Sequence, residues 1–433
     1  MASDVYDLIG IGFNVSNVGL AISLKEKKVD ISTLFIESGV NSMWQPNMLI
    51  PGTDIQNSPH RDLITPINPR SKYTFINYLF EHDRLFEYFN LGLSHPFRTE
   101  YSRYIKWCAD DFSHNVIYNE TVDSITIDDE TINGIRLYKL TTISGREFFA
   151  KNIAIGTGRE INIPNEFKNI NNKRVFHLTS YVSSLKNLSA LDKFNVAVIG
   201  TSQSAIEIVL DIKKCYPNSH VTNISRGFGY KLKDTSPFSY EVYYPEFIDF
   251  FYNLDKSQKK EVSHQLRSTN YSAVDSDVLH ELYNGMYEDR IVNNERVCLL
   301  RNKVIDSVVD YGSRIDLSIS DKYKDETKLL SFDFVILATG FKDYEFSNDT
   351  CVTIPLLNNL DYMFKNDDGN YNISRDYKLN PVYRNDAIKV GNIYLNGLCE
   401  STHGLGDAGS ISSVSIRANA IALSIVSSIR ELV

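Results

Sequence analysis

Cysteine is scarce in this chain of 433 residues: the five present, Cys108, Cys215, Cys298, Cys351 and Cys399, lie far apart with no CxxC pair. That spacing excludes a disulfide framework and a redox-active dithiol. The nine histidines form no HExxH motif and no Cys/His cluster, so no metal site is expected. Positive charge is also short, with 45 Lys and Arg against 54 Asp and Glu, a formal net charge of −9. There is no basic footprint for nucleic acid or for an anionic membrane surface. No apolar run approaches the roughly 18 residues of a membrane span. The opening MASDVYD lacks the basic start of a signal peptide, so the expected location is the cytoplasm. What is present, 42% hydrophobic and 23% charged residues, is the composition of a soluble globular protein with room for two or three domains.

The most informative stretch is DLIGIGFNVSNVGLAISL, residues 7–24. An apolar run ends at Gly10, turns through Gly10-Ile11-Gly12 and enters a helical pattern with Val18, Ala21, Ile22 and Leu24 inward. Gly10 is expected to take the turn's backbone angles and Gly12 to admit a pyrophosphate onto the helix N-terminus. A second apolar run, 31–36, ends in Glu37, where a carboxylate accepts hydrogen bonds from an adenosine ribose. Position 15, where a third glycine is common, is Val15.

A second turn of this kind follows the run 195–199: Gly200-Thr-Ser-Gln-Ser, then a helix from Ile206 to Lys214. The next strand, 221–225, ends at Arg226, and an arginine there pairs with a ribose 2′-phosphate, favouring NADPH over NADH. Two dinucleotide turns, the first for FAD and the second for NADPH, imply a flavoprotein that takes hydride from a nicotinamide.

Around these turns, residues 43–75 form a long irregular segment rich in packing side chains. Residues 75–112 are helical and aromatic, a stripe read as core. Segments 116–127 and 135–143 read as a β-meander, and strands resume at 296–300, 303–310 and 313–319. The strand ending in ATGF at 338–341 reads as a crossing back to the first unit, 391–397 as a last strand, and the chain closes in a helix. The expected fold is α/β: two Rossmann-like domains with a small helical substrate-binding insertion. The expected division is 1–190 for FAD, 191–332 for NADPH with a cap at about 236–294, and 333–433 for the rest of the FAD domain.

On these residues the chain resembles the flavin-dependent N-hydroxylating monooxygenases, the ornithine, lysine and diamine hydroxylases of siderophore biosynthesis. The resemblance is carried by Met48-Leu-Ile-Pro-Gly52, Gln56, Asp62-Leu63, Tyr73-Thr-Phe-Ile-Asn-Tyr-Leu79, Asp234-Thr-Ser-Pro-Phe238 with Glu241, Thr269-Asn-Tyr-Ser272, ATGF and Thr402-His-Gly-Leu-Gly-Asp407. It implies that Gly10, Gly12, Ser16, Asn17, Glu37 and Asp407 hold FAD, with Trp44 and Gln56 lining its ring. Gly200, Ser202, Gln203, Ser204 and Arg226 would hold NADPH. Arg61, Tyr240 and Asn270 would face the substrate, with Gln56 and Asn270 as the catalytic residues that keep flavin, nicotinamide and amine in register. The implied reaction is N-hydroxylation of a terminal amine by O2 through a C4a-hydroperoxyflavin, in an enzyme expected to be a homo-oligomer. Departures from the family pattern are Asn14-Val15, Gln45, Thr201-Ser202, Arg61 in place of lysine and Tyr240 in place of asparagine.

Three other readings compete. A pyridine-nucleotide disulfide reductase needs the missing dithiol. A Baeyer–Villiger or sulfur-oxidising monooxygenase carries Phe-x-Gly where this chain has Asn171 and Lys173, although His177 and Tyr181 keep the HxxxY spacing. A flavin-binding protein without turnover is the third.

Overall fold

The computed structural model describes residues 5–132, 134–342, 346–347, 350–351, 354–382 and 389–430. The first strand, Val5–Ile11, pairs in parallel with Thr33–Ile36 on one side and Glu147–Ile155 on the other, so Ile9 lies between Leu34 and Ile153. Strand Glu147–Ile155 is shared along its length. Its start pairs antiparallel with Ile135–Thr142 of the meander, and its end pairs with Ile393–Leu395 from the far end of the chain. Hence the last part of the chain completes the sheet that the first part begins.

The second sheet is five-stranded and parallel, in the order Val297–Leu300, His220–Ile224, Asn195–Ile199, Phe334–Leu337, Val175–His177. Two of its strands, Val175–His177 at the edge and Phe334–Leu337 next to it, lie outside the range 191–332 expected for this unit. Within the expected cap, helix Ser276–Ile291 puts Leu282 into the core of this second sheet. It joins parallel neighbours His220–Ile224 and Val297–Leu300, which cannot be linked by a tight turn. A small antiparallel sheet, Lys303–Asp310, Ile315–Asp321 and Thr327–Phe332, covers the second unit; the last of these strands was not foreseen.

The helix Val15–Glu26 is buried all round from Ser16 to Leu24, not on one face, because the final helix Val414–Arg430 packs against its other side. Gly19 permits that approach, since a Cβ there would sit 2.8 Å from Val414 Cγ1. The aromatic stripe is core in part only. Tyr78, Tyr101 and Tyr104 are buried around Phe75, whereas Phe86 and Phe89 are exposed on the short helix Leu85–Leu91, which has no buried residue. Among the described residues, no helix is long and apolar enough to cross a membrane.

Candidate functional site

The two glycines of the first turn have different roles from those expected. Gly10 lies inside the strand, where a Cβ would collide with the Phe35 ring; Gly12, at φ +81°, makes the turn and passes 2.8 Å (measured from an added Cβ) from the Gly156 carbonyl. The Asn14 side chain caps the following helix by accepting from Ser16 N at 3.0 Å. No acidic side chain sits in that helix's first turn, which leaves its dipole and N–H groups suited to an anion. Glu37 lies beside this turn, accepting from Phe13 N and Gly39 N, both at 2.6 Å. Ser38 Oγ donates to the same carboxylate at 3.4 Å, and of its roughly four acceptor positions about one remains for a ribose hydroxyl.

Asn17 does not face the open turn. It is fully buried, donating to Gly12 O at 2.7 Å and Ile11 O at 3.1 Å and accepting from Asn396 Nδ2 at 2.9 Å. Its side chain therefore holds the turn to the last strand. Ser16 and Asp407 are likewise drawn into the protein by Arg417. The guanidinium donates to Ser16 Oγ at 3.1 Å, to Asp407 Oδ1 at 3.0 Å and to Asn396 Oδ1 at 2.8 Å, while Asp407 Oδ2 accepts from Cys399 N. This pair is 1% and 2% exposed. Sequence reading missed Arg417, although a lone arginine three residues after Val414 on an apolar helix face was its signal.

The second turn is built on the same plan. Gly200 has φ +134°, and a Cβ there would collide with the Ala338 carbonyl, so the ATGF crossing rests on this turn. Ser202 is the N-cap of helix Gln203–Cys215, makes no side-chain cap bond, and again no acid occupies the first turn. Ser204 is half-buried in that turn, and Arg226 stands exposed just past strand His220–Ile224. Gln203, by contrast, is buried and committed: it donates to Glu207 at 3.1 Å and accepts from Asp275 N at 3.0 Å. Both turns thus fit a dinucleotide pyrophosphate, with Asn17 and Gln203 as their buried braces.

Three segments meet between the two sheets: the loop around residues 44–62, residues 269–275, and the loop 399–413. Gln56 Nε2 donates to Asp275 Oδ2 at 2.5 Å, Asn270 Nδ2 to Leu405 O at 3.0 Å, and Tyr271 Oη to Glu400 at 2.5 Å. A Cβ on Gly409 would strike the Tyr271 hydroxyl, so glycine is needed for this docking. Trp44 is half-buried in the first unit's aromatic core. Arg61 is brought to Tyr240 as expected, its guanidinium carbon 5.4 Å from that ring and 5.2 Å from the ring of Tyr243. The Tyr240 hydroxyl is buried with no protein partner. Burial raises its pKa, as do the Asp275, Asp234 and Asp54 charges, against a lowering by Arg61.

Two nucleotide-type sheets, each opened by a glycine turn and facing a shared polar site, define a two-dinucleotide flavoprotein. Residues 4–343 match the profile described as L-lysine 6-monooxygenase/L-ornithine 5-monooxygenase, and the chain belongs to that family. It is an N-hydroxylating flavin monooxygenase. It is 33% identical over 412 residues to an L-ornithine N(5)-monooxygenase of Burkholderia cepacia, covering 92% of this chain and 90% of that one. Among solved structures, the ornithine hydroxylase of Pseudomonas aeruginosa superposes with a TM-score of 0.89 at 29% identity, over 98% of this chain and 100% of that one. An ornithine N-hydroxylase of Kutzneria sp. 744, solved with reduced FAD, NADP+ and L-ornithine, gives 0.88 at 27%, over 98% and 99%. The Baeyer–Villiger and turnover-free readings gain no support from this.

Proposed function

We propose that the enzyme hydroxylates the terminal nitrogen of an amino acid, ornithine before lysine, with diamines next. The observation that carries this is Arg61: a half-buried guanidinium between Tyr240 and Tyr243, with no carboxylate partner among the described residues. A substrate carboxylate supplies that partner, in a bidentate geometry lysine cannot offer.

FAD and NADPH are the cofactors; when bound, the flavin reduces O2 and delivers one oxygen atom to the amine. The balance is amine, O2, NADPH and a proton giving hydroxylamine, water and NADP+. The first helix N-terminus and Glu37 would hold FAD; Gly200, Ser202, Ser204 and Arg226 would hold NADPH. We would divide the two units at about 160 and 340, a reading that the strand pairing supports.

No nucleophilic side chain is required, so the protein orients groups and excludes water. Presenting an amine of pKa roughly 10.4 neutral at pH 7 costs about 4–5 kcal/mol at ~1.4 per unit. Gln56 and Asn270 each have one amide N–H committed, to the Asp275 carboxylate and the Leu405 carbonyl. Each therefore offers its free carbonyl oxygen to an amine N–H. The hydroxylamine formed is the precursor of a hydroxamate.

The test is Arg61→Met. The KM for ornithine should rise roughly 10-fold or more, the worth of a charged hydrogen-bonded pair, while that for putrescine stays level. Equal effects on both would remove the carboxylate role.

A further inference from the structure

Asp275 occupies the N-cap of helix Ser276–Ile291, yet its carboxylate makes no cap hydrogen bond. Aspartate is among the strongest N-caps, and leaving that bond unmade gives up stability. The carboxylate is turned instead to Gln56 Nε2 at 2.5 Å, with the Lys233 ammonium 4.0 Å from its other oxygen.

Gln56 itself is a non-glycine residue at φ +51°. Three charged side chains hold it there: its N–H donates to Asp54 Oδ1 at 2.9 Å, its carbonyl accepts from Lys233 Nζ at 3.2 Å, and its side-chain amide donates to Asp275. Lys233 is 7% exposed; burial lowers its pKa, opposed by the Asp275 and Asp54 charges. His95 and Arg98 complete the group, His95 lying 3.7 Å from Asp54. Asp54, His95 and Asp275 also bring ligand atoms within 4.8 Å of one another. The neighbouring Lys233 and Arg98 already supply positive charge to this group, so it reads as an ion-pair network.

We infer that Asp275 is a positioning residue that sets which way the Gln56 amide faces. A carboxylate only accepts, so it pins the amide nitrogen toward the second unit and leaves the carbonyl oxygen toward the amine. Lys233, through the Gln56 carbonyl, holds the left-handed backbone that makes this reach possible. Because Asp275 N is bonded to Gln203 beside the second turn, the same residue ties Gln56 to the NADPH unit. This rests on the reading of Gln56 as a residue of the flavin side.

The experiment uses the holoenzyme and compares Asp275→Ser, Asp275→Asn, Gln56→Ala and the double variant Gln56→Ala/Asp275→Ser. Serine can still cap the helix but is too short to reach Gln56; asparagine reaches it but accepts or donates, so the amide can flip. Hydroxylamine formed per NADPH should fall about tenfold in Asp275→Ser, the scale of one hydrogen bond to a charged group, with hydrogen peroxide making up the difference. Asp275→Asn should fall less, and the double variant no further than Gln56→Ala. Without turnover, a thermal-unfolding cycle on the same four proteins should show the Gln56 and Asp275 changes non-additive. Full coupling in Asp275→Ser, or losses that multiply in the double variant, overturns the inference. Full coupling in Gln56→Ala overturns instead the reading of Gln56, and the inference with it.

Discussion

Arg98 Nη2 lies 2.9 and 2.8 Å from the two carboxylate oxygens of Glu207, across the seam between the first unit and the Gln203–Cys215 helix of the second. The two side chains are 6% and 2% exposed, and Arg98 also donates to Met48 O at 2.9 Å and Asp54 O at 3.1 Å. Burial pushes the Glu207 carboxyl up, opposed by the Arg98 charge and hydrogen bond. Removing one partner strands the other's charge. Glu207→Ala should therefore cost about 3–5 kcal/mol in urea unfolding, and the pair Arg98→Met/Glu207→Leu markedly less. An additive double variant would contradict this.

The Arg417–Asp407 pair makes a related prediction about the cofactor. Arg417→Met removes the donor to Ser16 and Asp407 under the first turn. FAD affinity, measured by fluorescence recovery on dilution, should fall while the NADPH-side KM is unchanged. An unchanged FAD affinity would make Arg417 a packing residue only.

His403 gives a pH signature. It is buried against Tyr377, with ring centroids 4.0 Å apart, and bonded to Arg375 O and Thr402. Burial lowers its pKa to about 4, partly opposed by Asp407 and the Arg375 carbonyl. The folded value lies below the unfolded one, so the stability it contributes is present above pH ~6.5 and is lost as pH falls toward 4, on the order of 3 kcal/mol. Burial shifts His177 in the same direction. Urea unfolding between pH 7 and 4 should show this slope, reduced in His403→Asn; an unaltered slope would exclude His403 as its source.

Arg226 should set coenzyme choice. Arg226→Ala should raise the KM for NADPH about 10- to 150-fold, as expected for a lost charged hydrogen bond, and leave that for NADH alone. A retained NADPH preference would contradict the 2′-phosphate assignment.

Both glycine turns and Glu37 were legible because each depends on local chemistry, a glycine at a turn or a charge at a strand end; the Arg61–Tyr240 meeting was legible only through the family resemblance. The placing of Gly10 inside the strand was not legible, since its need for glycine comes from the Phe35 ring on another strand. The family resemblance implies Asn17 and Gln203 as cofactor residues; the partners their side chains bond, Asn396 and Asp275, lie 379 and 72 residues away. Arg98, Glu207, Arg417 and Lys233 show as charges in or beside apolar patterns, but what each pairs with is a property of the packed chain. Helical spacing alone puts Phe86 and Phe89 in the core, but the helix that carries them packs through Leu85 and Tyr88 and leaves these two rings exposed.

The most direct measurement is hydroxylamine formed per NADPH oxidised, across ornithine, lysine, putrescine and cadaverine, because NADPH oxidation alone can run uncoupled. The account predicts coupled hydroxylation of ornithine ahead of lysine, with both diamines weaker. Coupled hydroxylation of the diamines with neither amino acid turned over would contradict it.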